Sequence, residues 1–220
     1  MASSSPPLLA LEGPEGAGKT TQLRRLSALL AERGVAHEAL REPGGTALGD
    51  DIRRLLLEPG RDIAPRAEAL LFMASRAQLV QHVLLPARQA GKVVLLDRFF
   101  LSTYAYQIDG RELPEEEIRR ANALATAGLV PDLTVLLAVP AAEARRRREL
   151  RGVADRMEAM GDGFHRRVDA AFARFASPEW QRAHPECGPI VAVRADGTED
   201  DVFARIRGEL TARWPDLFGA

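Results

Sequence analysis

The chain has 220 residues, of which 46% are hydrophobic and 28% are charged, and its formal net charge is −1. This length suits one domain with a substantial buried core, and the composition is that of an ordinary globular protein. A net charge so close to zero creates no overall field that would attract nucleic acid or an acidic membrane surface, so we expect neither as a partner.

Two features bear on where the protein works. The chain has one cysteine, Cys187, which excludes an internal disulfide and is typical of a reducing compartment. Residues 1–7 lack the basic and apolar segments of a signal peptide, and no apolar run reaches membrane-spanning length. We therefore expect a cytoplasmic protein.

Short apolar runs alternate with segments of helical period along the chain. The runs that indicate buried strands are residues 8–11, 35–40, 93–97, 133–139 and 189–193. The segments with helical periodicity lie around residues 23–30, 52–57, 67–90, 114–128, 141–151, 163–182 and 200–213. Strands that are apolar throughout and alternate with helices predict an α/β fold of three layers, with a five-stranded parallel sheet covered by helices on both faces. No linker divides residues 1–220, so we expect a single domain.

A phosphate-binding motif follows the first predicted strand. Residues 13–20 read GPEGAGKT and match the pattern G-x-x-x-x-G-K-[ST] between a strand and a helix, which is typical of a P-loop. The predicted ATP-binding residues are Gly13, Pro14, Glu15, Gly16, Ala17, Gly18, Lys19 and Thr20. We expect Lys19 to reach the β- and γ-phosphates and Thr20 to bind Mg²⁺. The carboxylate of Glu15 is unexpected in a loop that binds anions.

The strand at residues 93–97 ends in Asp97, where P-loop proteins place an acid close to Mg²⁺; the alternative is an aspartate that caps the next helix. Arg98 follows instead of a second acid, which disfavours an ATPase that activates water. A switch GTPase needs an Asn/Thr-Lys-x-Asp motif to read guanine. The only lysines are Lys19 and Lys92, and neither lies in such a motif, so this class is excluded.

Phosphoryl transfer to an acceptor remains. A phosphate acceptor is already ionised, because its second pKa is about 6, and it needs positive charge rather than a base. Four arginines are predicted near the carboxyl edge of the sheet: Arg41, Arg53, Arg76 and Arg98. Phe72 lies one helical turn before Arg76, a pairing that suits a nucleobase; the alternative is that Phe72 belongs to the core.

Residues 145–158 read RRRRELRGVADRME and contain six arginines, with Gly152 interrupting the helical pattern. A segment of this kind is either a solvated basic surface or a lid that covers the triphosphate, stabilises its charge and excludes water. Beside a P-loop we favour the lid, at approximately residues 145–158.

Together these stretches resemble bacterial thymidylate kinases. The resemblance lies in EGPEGAGKTT, REPGGT, IRRLLL, LLFMASRAQLV, LLDRFFLSTYAYQ, PDLTVLL and DRMEAMGDGFHRRV, which occur in the family's order between about residues 8 and 175. It implies the fold of the P-loop nucleoside monophosphate kinases with a short lid. It also implies phosphorylation of dTMP to dTDP with ATP and Mg²⁺, in the synthesis of dTTP, by a homodimer.

The resemblance also implies roles for individual residues. The implied substrate-binding residues are Glu15, Glu42, Arg53, Phe72, Arg76, Arg98, Ser102, Thr103, Tyr106 and Gln107. Phe72 would stack on thymine and Arg76 would read its edge, while Arg53 and Arg98 would hold the acceptor phosphate. Tyr106 and Gln107 would lie near the deoxyribose and the base, with Tyr106 disfavouring a 2′-hydroxyl. Glu42 would lie near the acceptor phosphate and the metal. Ser102 and Thr103 match polar positions around the base, and which of them touches it stays open.

Glu15 acquires a role in the same way: in the family, the P-loop acid accepts a hydrogen bond from the 3′-hydroxyl of the acceptor. Some members carry an arginine next to that acid, but this chain has Gly16 there. The implied catalytic groups are therefore Lys19, Arg98 and an arginine of the lid. We expect Arg151 in that role, with Arg147 or Arg148 as alternatives.

Two stretches depart from the family. Phe99 and Phe100 follow Asp97-Arg98 where polar residues or tyrosine are common, and Met73 replaces an aromatic residue. Both suggest altered tolerance of acceptors, for example toward dUMP. Two other functions stay open: a kinase for another nucleoside monophosphate, and a nucleotide-binding regulator without turnover.

Overall fold

The protein is built on a parallel five-stranded sheet with the strand order β2-β3-β1-β4-β5. The computed structural model describes residues 6–150 and 155–219, without the side chains of Ala141, Arg148 and Glu149. The strands within these ranges are β1 (Leu8–Glu12), β2 (His37–Arg41), β3 (Val93–Asp97), β4 (Leu133–Ala138) and β5 (Ile190–Arg194). The predicted parallel sheet is confirmed.

Helices connect the strands. They are α1 (Lys19–Glu32), α2 (Ala47–Leu57), α3 (Pro65–Leu79), α4 (Leu85–Gln89), α5 (Phe100–Thr103), α6 (Glu115–Thr126), α7 (Ala141–Glu149), α8 (Asp162–Arg174), α9 (Pro178–Ala183), α10 (Glu199–Arg213) and α11 (Pro215–Phe218). A π-helical segment, Val80–Leu84, joins α3 to α4, and another, Tyr104–Gly110, continues α5. Among the helices of the described ranges, none is both long enough and apolar enough to cross a membrane.

The sheet separates two hydrophobic cores, as the three-layer prediction requires. Successive residues of a strand face opposite sides, so Leu8 packs into one core and Leu9 into the other. Helices α3, α6 and α8 cover the first core, and α1 and α10 cover the second. The apolar runs of the strands are therefore buried on both faces.

One predicted helix differs in its bounds, and one helical stretch was not predicted. The helix predicted over residues 163–182 ends at Arg174, because Pro178 begins a new helix and Ser177 caps it by accepting a hydrogen bond from the backbone N–H of Trp180. Proline lacks an N–H and disfavours helical backbone in the residue before it. The helical stretch from Phe100 to Gly110 was not predicted.

The sheet brings the functional loops to one edge. Asp97 pairs in register with Leu11 of β1 and with Arg41 of β2, so these three strands end at the same level. The P-loop follows β1, the REPGG turn follows β2, and Arg98 follows β3. Loops at the carboxyl ends of parallel strands meet in one crevice, which is where ligands bind in such sheets.

Candidate active site

Residues 13–18 connect β1 to α1 as a tight loop. Gly13 has φ 141°, and a Cβ there would lie 2.7 Å from the carbonyl oxygen of Leu137. Gly16 has φ 83°, and its Cβ would lie 2.7 Å from the carbonyl oxygen of Ala144 in α7. Residues with a side chain rarely adopt such φ values, and neither position has space for a Cβ atom. Glycine is therefore required at both positions. The missing side chain at Gly16 thus allows α7 to lie directly on the P-loop.

Lys19 lies at the start of α1, with its ammonium group folded back over the loop. Its Nζ donates to the carbonyl oxygens of Gly13 at 2.9 Å and Pro14 at 2.8 Å. Burial, assisted by the nearby Arg98, lowers its pKa to about 8 against the opposing effect of neighbouring carboxylates. The charged form is thus costly without a ligand, and an anionic phosphate would stabilise it.

Thr20 and Asp97 meet beside the loop. The hydroxyl Oγ1 of Thr20 donates to Oδ2 of Asp97 at 2.5 Å, which joins α1 to the end of β3. Hydroxyl and carboxylate oxygens are the ligands that Mg²⁺ prefers, and Mg²⁺ usually takes one or two carboxylates together with phosphate and water. Within the described residues, no group of three or more His, Cys, Asp and Glu side chains could hold a metal. The donor set therefore fits a Mg²⁺ ion that is shared with bound phosphates.

The carboxylate of Glu15 forms an ion pair with the guanidinium of Arg98. Arg98 also donates to the hydroxyl oxygen of Ser102 at 2.9 Å and lies over the ring of Tyr106. Burial opposes its charge, but Tyr106 and Glu15 raise its pKa above the ordinary value. Arg98 has φ 75°, a conformation that is strained for a side chain of this size and is characteristic of functional sites.

Two cavities open at this edge of the sheet. The larger one, of about 820 Å³, is lined by the P-loop, Thr20, Asp97, residues of α7 and the loop at residues 197–199. The narrower one lies between α3 and the helix that follows Arg98. Both cavities are lined by Glu15, Glu42, Arg53, Arg98 and Asp155, so they adjoin at these residues.

Three of the four predicted arginines lie together at the wall of the larger cavity. Arg41, Arg53 and Arg98 line the larger cavity, and Nη1 of Arg53 donates to the carbonyl oxygen of Pro43 at 3.0 Å. Burial and the neighbouring charge of Arg41 lower the pKa of Arg53. Like charges held together at a cavity wall favour a bound anion.

The fourth arginine, Arg76, differs because all five of its N–H groups donate to protein acceptors. Nε and Nη2 donate to Oε2 of Glu42 at 2.8 and 2.5 Å. The other bonds reach Thr103 at 2.8 Å, Asn122 at 2.5 Å and the carbonyl oxygen of Phe99 at 2.7 Å. Arg76 lines the narrower cavity, yet every one of its N–H groups already donates a hydrogen bond within the protein.

Glu42 lies at the other end of this buried pair. Its Oε2 is occupied by Arg76, while its Oε1 is buried without a hydrogen-bond partner. Burial raises the pKa of Glu42, and Arg76 opposes that rise. A buried carboxylate oxygen without a donor is costly and favours a local rearrangement when a cation or donor arrives.

The other predicted acceptor residues also reach the narrower cavity: Phe72, Ser102, Thr103, Tyr106 and Gln107 all line it. The three departures from the family do not. Met73, Phe99 and Phe100 are buried in the core and do not line this cavity. None of these three side chains therefore contacts the narrower cavity directly, and the interpretation that they alter acceptor tolerance gains no support from the structure.

Sequence reasoning missed Glu12. This carboxylate is fully buried and accepts hydrogen bonds from the backbone N–H groups of Phe99 at 2.7 Å and Ser102 at 3.0 Å. It also accepts from the hydroxyl of Ser102 at 2.7 Å. Glu12 thereby caps α5 and fixes the helix that carries Tyr106 and Gln107. Its position at the end of an apolar strand, directly before the P-loop, was the available signal.

The predicted lid is described in part. Arg147 of α7 donates to the carbonyl oxygens of Gly16 at 3.4 Å and Ala195 at 3.3 Å, so it spans the larger cavity's rim between the P-loop and the loop after β5. It is held by Glu143 at 2.7 Å. Arg151, the preferred catalytic arginine, lies outside the described residues, as does the side chain of Arg148.

This geometry defines a class of protein: a P-loop kinase in which the phosphate-binding loop opens into one cavity and a second, narrower cavity lined by guanidinium groups adjoins it. A family model described as thymidylate kinase matches residues 11–184. Curated relatives named thymidylate kinase include proteins of Deinococcus radiodurans, 45% identical over 93% of this chain and 96% of the relative, and Cutibacterium acnes, 46% identical over 92% and 95%. A third, from Synechococcus sp., is 45% identical over 94% of this chain and 95% of the relative.

The chain belongs to the thymidylate kinase family. The resemblance deduced from its motifs is thereby confirmed.

Proposed function

We propose that the chain transfers the γ-phosphoryl group of ATP to dTMP, forming dTDP and ADP for the synthesis of dTTP. One observation carries this assignment: the P-loop cavity and the narrower cavity share the wall formed by Glu15, Glu42, Arg53, Arg98 and Asp155. A nucleotide in each cavity would bring donor and acceptor phosphates together at this wall. The family membership makes ATP the donor and dTMP the acceptor.

On the donor side, the P-loop holds the triphosphate. Lys19 exchanges its two carbonyl partners for oxygens of the β- and γ-phosphates, which restores the favourable charge that burial had opposed. Thr20 and Asp97 are the residues that would hold Mg²⁺. When bound there, the ion would neutralise charge on the transferring phosphate.

On the acceptor side, Arg53 and Arg98 hold the phosphate of dTMP. They neutralise a group that is already ionised near pH 7, so no side chain has to remove a proton from it. The attack then depends on holding the two phosphates in line and on stabilising the charge that spreads over the oxygens. Arg98 has contacts with Glu15 and Tyr106, so it joins the phosphate site to the sugar site.

The base and sugar occupy the narrower cavity. Phe72 offers its ring to thymine, and Tyr106 narrows the space for a 2′-hydroxyl. For Arg76 to read the edge of thymine, an N–H group that it donates to Thr103 or Asn122 has to be shared or released. Glu15 accepts a hydrogen bond from the 3′-hydroxyl, and its oxygen is oriented for this by Arg98.

A lid at residues 145–158 supplies the remaining positive charge within one kinase domain. Two observations support it: α7 lies on Gly16 of the P-loop, and Asp155 and Glu158 line the larger cavity. Arg151 stays our first choice for the catalytic arginine because of its spacing from Asp155-Arg156. Arg147 and Arg148 remain the alternatives, and Arg147 already spans the cavity's rim.

The active form is a homodimer in this proposal. Helices α2, α3 and α6 pack side by side, and each leaves leucines exposed: Leu48, Leu55, Leu70 and Leu124. Leu70 and Leu124 have 63% and 86% of their surface exposed, which is costly for apolar side chains on adjacent helices. Sedimentation of the purified protein and of Leu70→Glu tests this interface.

The substrate assignment is tested by ADP release with a panel of nucleoside monophosphates at fixed ATP and Mg²⁺. We expect dTMP to give the highest kcat/KM, with dUMP the nearest competitor. Turnover of dTMP no faster than that of AMP, CMP or dGMP would make the acceptor assignment wrong. ATP binding without turnover of any acceptor would favour a nucleotide-binding regulator.

A further inference from the structure

Glu68 is a buried carboxylate that no sequence motif singled out. It lies in the first turn of α3, and its side chain has no exposed surface. Oε2 accepts from Nη2 of Arg156 at 2.6 Å, and Oε1 accepts from Nε of Arg111 at 3.1 Å and Nε2 of Gln107 at 3.3 Å. Arg111 adds a second bond through Nη2. One carboxylate thus holds two guanidinium groups and an amide.

One of these partners, Gln107, lines the narrower cavity. A carboxylate accepts hydrogen bonds and donates none, so the amide nitrogen of Gln107 faces Glu68. This bond fixes the orientation of the amide group at the cavity wall. Glu68 therefore fixes how Gln107 is presented to an acceptor nucleotide.

A second partner, Arg156, belongs to residues 155–158, which we call the bridging segment. Arg156 is 8% exposed; its Nε donates to the carbonyl oxygen of Leu56 at 2.7 Å and its backbone N–H to that of Leu57 at 3.2 Å. Within the segment, Oδ1 of Asp155 accepts hydrogen bonds from the backbone N–H groups of Met157 and Glu158, at 2.9 Å each. The segment is thus a compact turn attached to the body through Arg156.

The bridging segment forms part of the wall of both cavities. Met157 lines the narrower cavity, Glu158 lines the larger one, and Asp155 lines both. A displacement of Arg156 would therefore alter the shape and charge of the donor and acceptor sites together. Arg111 lines neither cavity: its guanidinium contacts Glu68 and the ring of Phe164. Its backbone N–H donates to the carbonyl oxygen of Tyr106 at 2.9 Å, a bond that a change of side chain leaves in place.

We propose that Glu68 is a positioning residue that couples the two cavities, through Gln107 on the acceptor side and Arg156 in the bridging segment. The inference rests on the proposed function, since it takes the narrower cavity as the dTMP site. A nucleotide that orders Gln107 stabilises the Glu68–Arg156 pair, and that pair holds the wall of the ATP site. By linkage, each nucleotide strengthens binding of the other by the same factor.

The test is the affinity for a non-hydrolysable ATP analogue with Mg²⁺, measured by calorimetry with and without saturating dTMP. We expect dTMP to tighten binding to the wild-type protein by at least about fivefold. Glu68→Gln removes the charge but keeps the shape, and it should reduce this factor toward one while each nucleotide alone still binds. Glu209→Gln, which breaks an exposed ion pair with Arg213, is the control and should retain the wild-type factor.

A matched pair of variants separates coupling from mere stabilisation, and it decides the question even if Glu68→Gln does not fold. Arg156→Lys and Arg111→Lys each remove a guanidinium from the same carboxylate. A structural role alone predicts equal effects. Our inference predicts that Arg156→Lys loses the coupling factor and Arg111→Lys retains it.

Equal factors in these two variants, or no coupling in the wild-type protein, would overturn the inference. The proposed function is judged separately by turnover of dTMP in the wild-type protein. Normal turnover without coupling would leave the function standing and remove only the role of Glu68.

Discussion

Glu15 and Arg98 form an ion pair that joins the P-loop to the residue after β3. This pair explains how a carboxylate is tolerated inside a loop that binds anions. Arg98 neutralises Glu15, and both side chains lie where the donor and acceptor cavities adjoin. In the proposed mechanism, the loop therefore has a donor side formed by Lys19 and an acceptor side formed by Glu15.

Replacing Glu15 with Gln should impair use of dTMP far more than binding of ATP. The amide keeps the shape of the side chain but loses the charge that orients Arg98 and accepts from the 3′-hydroxyl. We expect kcat/KM for dTMP to fall by roughly 10²-fold, the scale for an interaction lost in the transition state. The affinity for the ATP analogue, measured in the same preparation, should change little. A selective loss of ATP affinity would place the carboxylate on the donor side.

Affinity for ATP should fall as the pH rises through about 8. The pKa of Lys19 is about 8 in the free protein, and bound phosphates raise it, so binding above that pH requires uptake of a proton. Below pH 8 the ammonium is already charged and affinity is flat. Above it, the Kd should rise by at most about tenfold per pH unit, the limit for one linked proton.

Calorimetry in two buffers of different ionisation enthalpy measures this proton uptake directly. Lys19→Arg supplies a group that stays charged throughout the range, because the pKa of arginine is above about 12. The variant should bind ATP more weakly than the wild-type protein does, but its Kd should not change over a pH range of roughly 7 to 9.5. A pH dependence that is identical in both proteins would assign the titration to another group.

The lid arginines should separate into two functional types. Arg151→Ala should lower kcat by roughly 10²-fold if that guanidinium stabilises the transferring phosphate. Arg147→Ala should mainly raise KM for ATP, since Arg147 joins the P-loop carbonyl of Gly16 to that of Ala195 across the rim of the donor cavity. Steady-state kinetics of both variants, with ATP and dTMP varied in turn, give the two parameters. A large loss of kcat in Arg147→Ala alone would transfer the catalytic role to that residue.

Gly16→Ala should displace α7 from the P-loop. The added Cβ would lie 2.7 Å from the carbonyl oxygen of Ala144, where no atom fits. Misplacement of this kind costs up to about 10²-fold in kcat/KM. Gly34→Ala is the control: it has a similar φ of 67° but open space around the new methyl group.

Both variants should lose about 1–2 kcal/mol of stability from the positive φ, measured by urea unfolding. Only Gly16→Ala should lose activity. Full activity in Gly16→Ala would mean that α7 does not need to lie on the loop during turnover.

The sequence alone determined the sheet, the P-loop and the family, because these depend on local patterns. A buried parallel strand is apolar throughout, and a phosphate loop needs glycine and lysine at set positions, so residues 8–20 predict both features without other information. The family motifs also predicted which residues line the narrower cavity, and Phe72, Ser102, Thr103, Tyr106 and Gln107 do so.

Only the tertiary structure decided which side chains hold one another. Glu12 caps a helix 87 positions along the chain, and Glu68 binds Arg156 across 88 positions, so no local pattern links them. Arg76 was expected to read the base, yet its N–H groups are all donated to acceptors brought together by the turn after β2, α5 with the residue before it, and α6. Buried charges require partners in three dimensions, and a linear sequence does not specify which distant group supplies them.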